Sequence, residues 1–268
     1  MFSFCKMQGT GNDFVVVNCL ENEFQYSLPV LAEYLCNRHF GVGADGVIFI
    51  YKSEVADFKM RIFNQDGTEA EMCGNGIRCF AKYVFEKNLT DKTEFEIETL
   101  AGKKTVKLEL ENKKVMAVTV NMGAPEFSNL KYIIEIEGQE FIVHPISMGN
   151  PHAVCFVKNV DEFPVEKIGP ILENYKYFPN KTNVEFVEIR DKNTIKIRVW
   201  ERGVGETNSC GTGACASTMI AINEKYVSEE VTVELKGGKL EVCYDKESEK
   251  ISLKGAAEII FEGALPLL

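Results

Sequence analysis

The chain has few histidines and no excess of positive charge, and each shortage argues against a class of function. Its 268 residues include three His, and 30 Lys and Arg face 40 Asp and Glu, for a net charge of −10. Nucleic-acid-binding domains present a basic face, so this balance argues against a nucleic-acid partner. Three histidines also leave little material for a histidine-rich metal centre.

Long apolar runs and paired cysteines are missing as well. No segment approaches the roughly 18 consecutive apolar residues that a membrane-spanning helix requires. The first residues, MFSFCKMQGTGNDF, lack the basic region and apolar core of a secretory signal. Nine cysteines, an odd number with no Cys-x-x-Cys pair, do not resemble a disulfide framework. We therefore expect reduced thiols in a cytoplasmic protein that has no membrane partner.

What the chain does contain is a segment that occurs twice, each time around one cysteine. ERGVGETNSCGTGACA carries Cys210, and MRIFNQDGTEAEMCGNGIRCFA carries Cys73. The two segments align without a gap at an offset of 210 − 73 = 137 residues. Each half therefore presents one thiol where a glycine-rich turn opens into a helix. The alignment matches Arg61 with Arg198, Ile62 with Val199, Phe63 with Trp200, Glu69 with Glu206, and CGNG with CGTG.

Periodicity predicts the same order of elements in both halves, and so an α/β protein of the α+β type with two β-rich halves. We expect residues 1–118 to carry Cys73 and 119–257 to carry Cys210; residues 258–268 could also complete the first half. Helices are predicted at 28–38, from Cys73 to 88, at 165–175 and after Cys210. Strands are predicted at 14–18, 47–51, 58–62, 94–99, 104–110, 115–121, 153–157, 184–189, 195–199, 231–235, 240–244 and 250–253, with Asn112 at a hairpin.

Two thiols at helix starts suit inversion at a carbon next to a carboxylate. A free thiol titrates near pH 8.5, and a helix N-terminus favours the thiolate and lowers that pKa. The free amides of the same turn can hold a carboxylate. With a site between the two halves, one thiolate would remove the α-proton from one face and the other thiol would return a proton to the opposite face.

Three other interpretations of the cysteines stay open at this point. Most buried cysteines are small hydrophobic residues, and we assign that role to Cys5, Cys19, Cys36, Cys79, Cys155, Cys215 and Cys243. A zinc site is disfavoured, because the local spacings, Cys73-x5-Cys79 and Cys210-x4-Cys215, are not the close pairs of structural zinc sites. Nucleotide binding is disfavoured too, since no Gly-Lys-Ser/Thr element follows the glycines. A thiol redox protein remains a rival from another class.

Five motifs, in order along nearly the whole chain, resemble the diaminopimelate epimerase family. They are MQGTGNDF, NRHFGVGADG, FNQDGTEAEMCGNGIRCFA, SMGNPH and ERGVGETNSCGTGACA. The resemblance implies two pseudo-symmetric halves, each a mostly antiparallel sheet wrapped around a central helix. It implies an amino-acid epimerase, needing no cofactor or metal, that interconverts LL- and meso-diaminopimelate for lysine and peptidoglycan precursors. A homodimer is implied as well.

The resemblance also assigns roles to single residues. Cys73 and Cys210 would exchange protons with the substrate, and His152 and Glu201 would tune the pKa values of the thiols. Arg202 can fork onto a carboxylate while Glu201 faces an ammonium group, which suits a distal zwitterion. The substrate contacts implied by the resemblance are Asn12, Asn64, Gly74, Asn75, Asn150, Asn183, Glu201, Arg202, Gly211 and Thr212.

Each assignment has an ordinary structural alternative, and one position departs from the family pattern. Asn12 and Asn150 follow glycines and could be turn residues, and Asn64 could be a local cap. Some family members have Gln where this chain has Gly46. A substrate contact through that side-chain amide is therefore not expected in this chain. A proline or hydroxyproline racemase of the same two-cysteine type is the rival enzyme, although a cyclic imino acid has no distal zwitterion to hold.

Overall fold

The computed structural model of the chain describes residues 2–21, 26–128 and 130–266, so residues 1, 22–25, 267 and 268 of the expected first half and residue 129 of the second lie outside it. Contacts between Cα atoms divide the chain into two units. Unit 1 is Met1–Val120 with Lys254–Leu268, and unit 2 is Asn121–Leu253. Among the described residues, no helix is long and apolar enough to cross a membrane.

Unit 1 is a mixed sheet with one helix on each face of its centre. Strand β2 is parallel to β3, and β4 is parallel to β6, while its other described pairings are antiparallel. The elements are β1 (Phe2–Gly9), β2 (Asn12–Asn18), α1 (Leu28–Cys36), β3 (Gly46–Tyr51), β4 (Phe58–Asn64), β5 (Glu69–Ala70), α2 (Gly74–Glu86), β6 (Glu94–Thr99), β7 (Gly102–Glu111), β8 (Lys114–Gly123, ending in unit 2) and β19 (Glu258–Leu265).

The helix α2 is buried on nearly all sides, because strands of its own sheet surround it. Alternation along β3 explains this arrangement: Val47 and Phe49 join the core with α1, whereas Ile48 lies against α2. A strand covered on both faces needs apolar side chains on both, and the run GVIFIY supplies them.

Unit 2 repeats this plan with the same sequence of parallel and antiparallel pairings. Strand β12 is parallel to β13, and β14 is parallel to β16. The described elements are β9 (Glu126–Phe127), β10 (Tyr132–Ile136), β11 (Gln139–Ser147), β12 (Pro151–Phe156), α3 (Val165–Glu173), β13 (Asn183–Ile189), β14 (Thr194–Glu201), β15 (Gly205–Thr207), α4 (Gly211–Asn223), β16 (Glu230–Leu235), β17 (Gly238–Asp245) and β18 (Lys250–Gly255, ending in unit 1).

The aligned Arg–Glu pairs of the sequence repeat are the same ion pair in both units. Arg61 Nε lies 2.7 Å from Glu69 Oε1, and Arg198 Nε lies 2.7 Å from Glu206 Oε1. In each unit a second guanidinium nitrogen donates to the other carboxylate oxygen, so the contact is a fork. The pair ties the short strand before the cysteine helix to the central sheet, which confirms the duplication as a structural repeat.

Most predicted elements are confirmed, with small errors at their ends. Strand β6 has the predicted bounds, and the hairpin at Asn112 is a two-residue turn in which Asn112 and Lys113 have φ of 50° and 62°. The helix α1 ends at Cys36 rather than 38, because Asn37 is extended with ψ 120°. Strand β1 was not predicted; it pairs with β19 from the far end of the chain.

Candidate active site

Both aligned cysteines are the N-cap residues of equivalent helices. Cys73 precedes α2 with φ −138° and ψ 119°, and Cys210 precedes α4 with φ −124° and ψ 111°. Gly74 and Gly211 are the first helical residues, so their amides belong to the unsatisfied first turn. The prediction of a thiol at each helix start is confirmed, and it puts each sulfur beside backbone N–H groups.

The second glycine of each CGxG motif is required by packing against the sheet. A Cβ on Gly76 would come within 2.9 Å of Ile62 Cδ1 and 3.3 Å of Ile48 Cδ1. A Cβ on Gly213 would come within 2.8 Å of Glu185 Oε1. These glycines allow the helix and the strand to approach each other closely.

Two neutral amide groups contact Cys73. Its thiol donates to Asn12 Oδ1 at 3.8 Å, and the Gly76 N–H donates to its sulfur at 3.4 Å. Asn75 Nδ2 donates to the same Asn12 oxygen at 3.3 Å, while Asn12 Nδ2 donates to Asp45 Oδ2 at 2.8 Å. Both ends of the Asn12 amide are therefore committed, which fixes the side chain beside the thiol.

Carboxylates surround Cys210 instead, and they reverse the expected effect of the helix start. Burial raises the pKa of Cys210, and the nearby Glu201 and Glu185 carboxylates raise it further. The predicted lowering of this pKa is therefore wrong for Cys210, since desolvation and negative charge outweigh the helix terminus. Glu201 is a hydrogen-bond partner of the thiol, and its own pKa is raised, mainly by burial. The Thr212 hydroxyl lies 3.5 Å from the Cys210 sulfur.

His152 is buried in unit 2 and contacts two side chains. Its Nδ1 lies 2.7 Å from Glu185 Oε1, and its Nε2 lies 3.0 Å from Asn150 Oδ1. Asn150 Nδ2 donates to Thr212 Oγ1 at 3.4 Å. His152 thus reaches Cys210 through Asn150 and Thr212, which supports its predicted connection to the thiol.

The residues predicted to hold the distal end of a substrate have partners of their own. Asn183 donates to the Pro151 carbonyl at 2.9 Å and accepts the Arg202 backbone N–H at 3.0 Å. The exposed Arg202 guanidinium donates to the Asn180 carbonyl at 3.4 Å. In unit 1, Asn64 Nδ2 donates to Thr68 Oγ1 at 3.0 Å, as a local cap would. Substrate contacts for these residues stay predictions.

The sequence analysis missed Glu185, although a signal for it was present. Glu185 interrupts the otherwise buried apolar strand β13, and the repeat aligns it with Ile48. A charged residue at a buried position of a central strand calls for a functional or ion-paired role. Asp45, which holds Asn12 in unit 1, was missed too, but it precedes β3 with a side chain that is 41% exposed, so no such signal marked it.

The structure also bears on the metal alternative and on Gly46. Within the described residues, no group of three or more His, Cys, Asp and Glu side chains is arranged to hold a metal ion. A Cβ on Gly46 would come within 2.8 Å of the Phe63 carbonyl oxygen. The backbone at this position therefore has no room for the Gln that some family members have.

Comparison with known proteins gives one consistent result. The family profile described as diaminopimelate epimerase matches residues 4–128 and 145–260. Proteins of that name from Methanococcus maripaludis and Acetivibrio thermocellus are 46% and 47% identical to the chain. Each alignment covers 98% of this chain, with 99% of the first relative and 98% of the second.

Solved structures with the same fold are more distant in sequence. A Bacillus anthracis phenazine biosynthesis protein of the PhzF family superimposes with a TM-score of 0.78 at 22% identity, over 99% of both chains. A hydroxyproline epimerase from Agrobacterium vitis superimposes with a TM-score of 0.77 at 14% identity, over 98% of this chain and 91% of that one. At these identities the similarity shows the fold alone. The matching profile and the close relatives show that the chain belongs to the diaminopimelate epimerase family and is an isomerase.

Proposed function

We propose that this member of the diaminopimelate epimerase family converts LL-2,6-diaminopimelate to meso-diaminopimelate with two cysteines and no cofactor. The observation that carries the proposal is the repeated thiol: each unit has one cysteine as the N-cap of a buried helix, next to free amides. The choice of diaminopimelate as the substrate rests on the similarity to relatives named diaminopimelate epimerase. The product would serve lysine and peptidoglycan precursor synthesis.

In the proposed reaction one thiolate removes the α-proton, so that a C–H bond breaks and an S–H bond forms. The electron pair left on the carbon spreads into the α-carboxylate, where helix-start amides stabilise the negative charge. The other thiol then gives its proton to the opposite face, so its S–H bond breaks and a new C–H bond forms. The two cysteines end with exchanged protonation states, and the reverse reaction uses them in the opposite roles.

Glu201 has a specific part in this reaction. When Cys210 must act as the base, its proton passes to the hydrogen-bonded Glu201 carboxylate: the S–H bond breaks and an O–H bond forms. Burial raises the pKa of Glu201, which makes this carboxylate a stronger proton acceptor than an exposed one. Transfer to Glu201 offsets the raised pKa of Cys210, which by itself would keep the sulfur protonated at neutral pH.

The proposal is tested by following α-hydrogen exchange from LL-diaminopimelate in heavy water, with enzyme free of pyridoxal phosphate and metal. We expect deuterium to enter the α-position as the meso isomer forms. Cys73→Ala and Cys210→Ala should each lower kcat by at least about a thousandfold, because one thiol cannot serve both faces. Exchange with proline alone would mean that the substrate is proline rather than diaminopimelate. Exchange with neither amino acid would overturn the proposal.

We also propose that the protein acts as a homodimer in the cytoplasm. All nine cysteines are free thiols, which suits a reducing compartment. Light scattering on the purified protein measures the assembly directly. A mass near 30.1 kDa, that of a single chain, would contradict the dimer.

A further inference from the structure

Glu185 is a buried carboxylate to which the proposed reaction gives no role. It lies on β13 with no exposed surface, and its Oε1 lies 2.7 Å from His152 Nδ1. The second oxygen, Oε2, is buried without a hydrogen-bond partner among the described residues. Within the described part of the chain, this buried carboxyl group thus has one hydrogen-bond partner, His152.

A chain of hydrogen bonds leads from this pair to the Cys210 thiol. His152 Nε2 lies 3.0 Å from Asn150 Oδ1, and Asn150 Nδ2 lies 3.4 Å from Thr212 Oγ1. Thr212 Oγ1 in turn lies 3.5 Å from Cys210 Sγ, and either atom can be the donor. Unit 1 has no counterpart at the far end, because strand register places Phe14 and Ile48 where unit 2 has His152 and Glu185.

The direction of the chain depends on Nε2 of His152. A carboxylate only accepts hydrogen bonds, so Nδ1 facing Glu185 carries a proton in either case. If Nε2 is also protonated, it donates to Asn150 Oδ1, the Asn150 amide donates to Thr212, and the Thr212 hydroxyl donates to a Cys210 thiolate. This is the orientation in which the amide of Asn150 stands in the structure.

If Nε2 has no proton, every bond in the chain reverses. The imidazole then accepts from Asn150 Nδ2, and the turned amide accepts the Thr212 hydroxyl at Oδ1. The oxygen of Thr212 is left to accept the S–H of a protonated Cys210. An amide can turn in this way because its oxygen and nitrogen occupy nearly the same positions. Each state of His152 therefore matches one state of Cys210.

We propose that Glu185 is a positioning residue: by accepting the Nδ1 proton of His152 it leaves Nε2 as the only variable site, so that His152 sets the direction of the Thr212–Cys210 hydrogen bond. Only the effect of Glu185 on catalysis rests on the proposed function. The other titratable group at the thiol is Glu201, which contacts Cys210 from β14, the strand paired with β13. In the alternative, Glu185 and His152 form a buried ion pair that only stabilises the unit.

The imidazole nitrogens of His152 test the proposal without any substrate. The chain has three histidines, so ¹⁵N spectra of histidine-labelled protein are simple, and His152→Gln identifies the signals. In the wild type we expect Nδ1 to stay protonated throughout a pH titration while Nε2 changes. In Glu185→Gln the amide can donate to Nδ1 as well as accept from it, so Nδ1 should lose its proton in part of the molecules.

The matched control is Glu188→Gln, on the same strand. Glu188 is also buried, but it accepts the Val160 N–H at 2.9 Å and does not contact His152. Its histidine spectrum should equal that of the wild type. A wild-type Nδ1 that loses its proton in the titration would overturn the proposal even if Glu185→Gln failed to fold. An unchanged Nδ1 in a folded Glu185→Gln would do the same.

Kinetics then test the connection to Cys210. Thr212→Val removes the hydroxyl at the other end of the chain while keeping its shape. We expect Glu185→Gln to lower kcat about tenfold or more with KM changed less than about threefold, and the double variant to be no slower than the slower single variant. If the losses in kcat of the two single variants multiplied in the double variant, Glu185 would act independently of Thr212, which would contradict the proposal. If diaminopimelate is not epimerised at all, the proposed function fails, while the spectra still decide the role of Glu185.

Discussion

The two thiols have the same backbone setting but opposite electrostatic surroundings. Cys73 contacts neutral amides, whereas Cys210 contacts a buried carboxylate and is linked through Thr212 and Asn150 to a buried imidazole. The two units differ at equivalent positions of the repeat, so each unit shows the effect of replacing those residues in the other. By strand register, the equivalent positions are Phe14 and His152, Ile48 and Glu185, and Asn64 and Glu201.

This comparison separates what the duplicated fold needs from what one copy of the site needs. The Arg–Glu forks, the N-cap cysteines and the packed second glycines occur in both units, so they serve the fold and the placing of the thiol. The Glu201 carboxyl group in contact with the thiol and the His152–Glu185 pair occur in unit 2 alone, whereas the Asp45 carboxylate of unit 1 is linked to Cys73 through Asn12. The proposed reaction, which is nearly symmetric, would therefore use two thiols with different charged neighbours.

The largest effect should come from moving a carboxylate into unit 1. Ile48→Glu places an unpaired charge against α2, and we expect a loss of about 3–5 kcal/mol in the free energy of unfolding. Adding Phe14→His supplies the partner that Glu185 has in unit 2 and should restore part of the loss. The control Ile48→Val should cost only about 1 kcal/mol. Urea unfolding measures all three, and a loss below about 1 kcal/mol for Ile48→Glu would show that position 48 tolerates charge.

A smaller effect should distinguish the two Arg–Glu forks. The Arg198 side chain is 14% exposed and also donates to the Val160 and Phe163 carbonyls, whereas that of Arg61 is 35% exposed. Arg198→Met should therefore cost about 2–3 kcal/mol and Arg61→Met about 1 kcal/mol, because burial leaves more unpaired groups at the first site. Thermal unfolding of both variants measures the difference. Equal losses would mean that the shared fork alone determines the cost.

The smallest effect concerns Glu201 and depends on pH. Burial raises the pKa of Glu201 in the folded state above its ordinary value of 4.5, so folding favours the protonated form more than the unfolded chain does. The stability that this group contributes is full below pH 4.5 and is lost as the pH rises through the folded pKa. Glu201→Gln should therefore raise the free energy of unfolding by about 1 kcal/mol at pH 7, the size of one ordinary hydrogen bond, and change it little at pH 4.

Unit 1 supplies the control for this last prediction. Asn64→Gln, at the exposed aligned position, should leave stability unchanged at both pH values. The measurement is urea unfolding of each variant at pH 7 and pH 4. An equal gain for Glu201→Gln at both pH values would show that packing, rather than the titration of the carboxyl group, causes it.

Local patterns were enough for several elements whose partners lie nearby in the chain, although the adjacent strands β10 and β11 were not predicted. Strand β6 alternates buried and open residues and pairs with the adjacent β7, and the Asn112 hairpin joins β7 to β8. The helices after Cys73 and Cys210 carry enough apolar residues for their type to be recognised. Strand β1 was missed although it forms a hairpin with the adjacent β2. Its other partner, β19, lies far along the chain, and the hydrogen bond from Gln8 to Glu258 spans 250 residues.

By itself the sequence determined the repeat, the two N-cap cysteines, the type of most elements and, through its motifs, the family. These follow from residue order and spacing, which the chain carries without being folded. Only the tertiary structure decided that the surroundings of Cys210 are charged, because Glu185 and His152 are 33 residues apart and meet only when β12 pairs with β13. It also decided that the pKa of Cys210 rises, since burial depends on everything packed around the helix start rather than on the helix start alone.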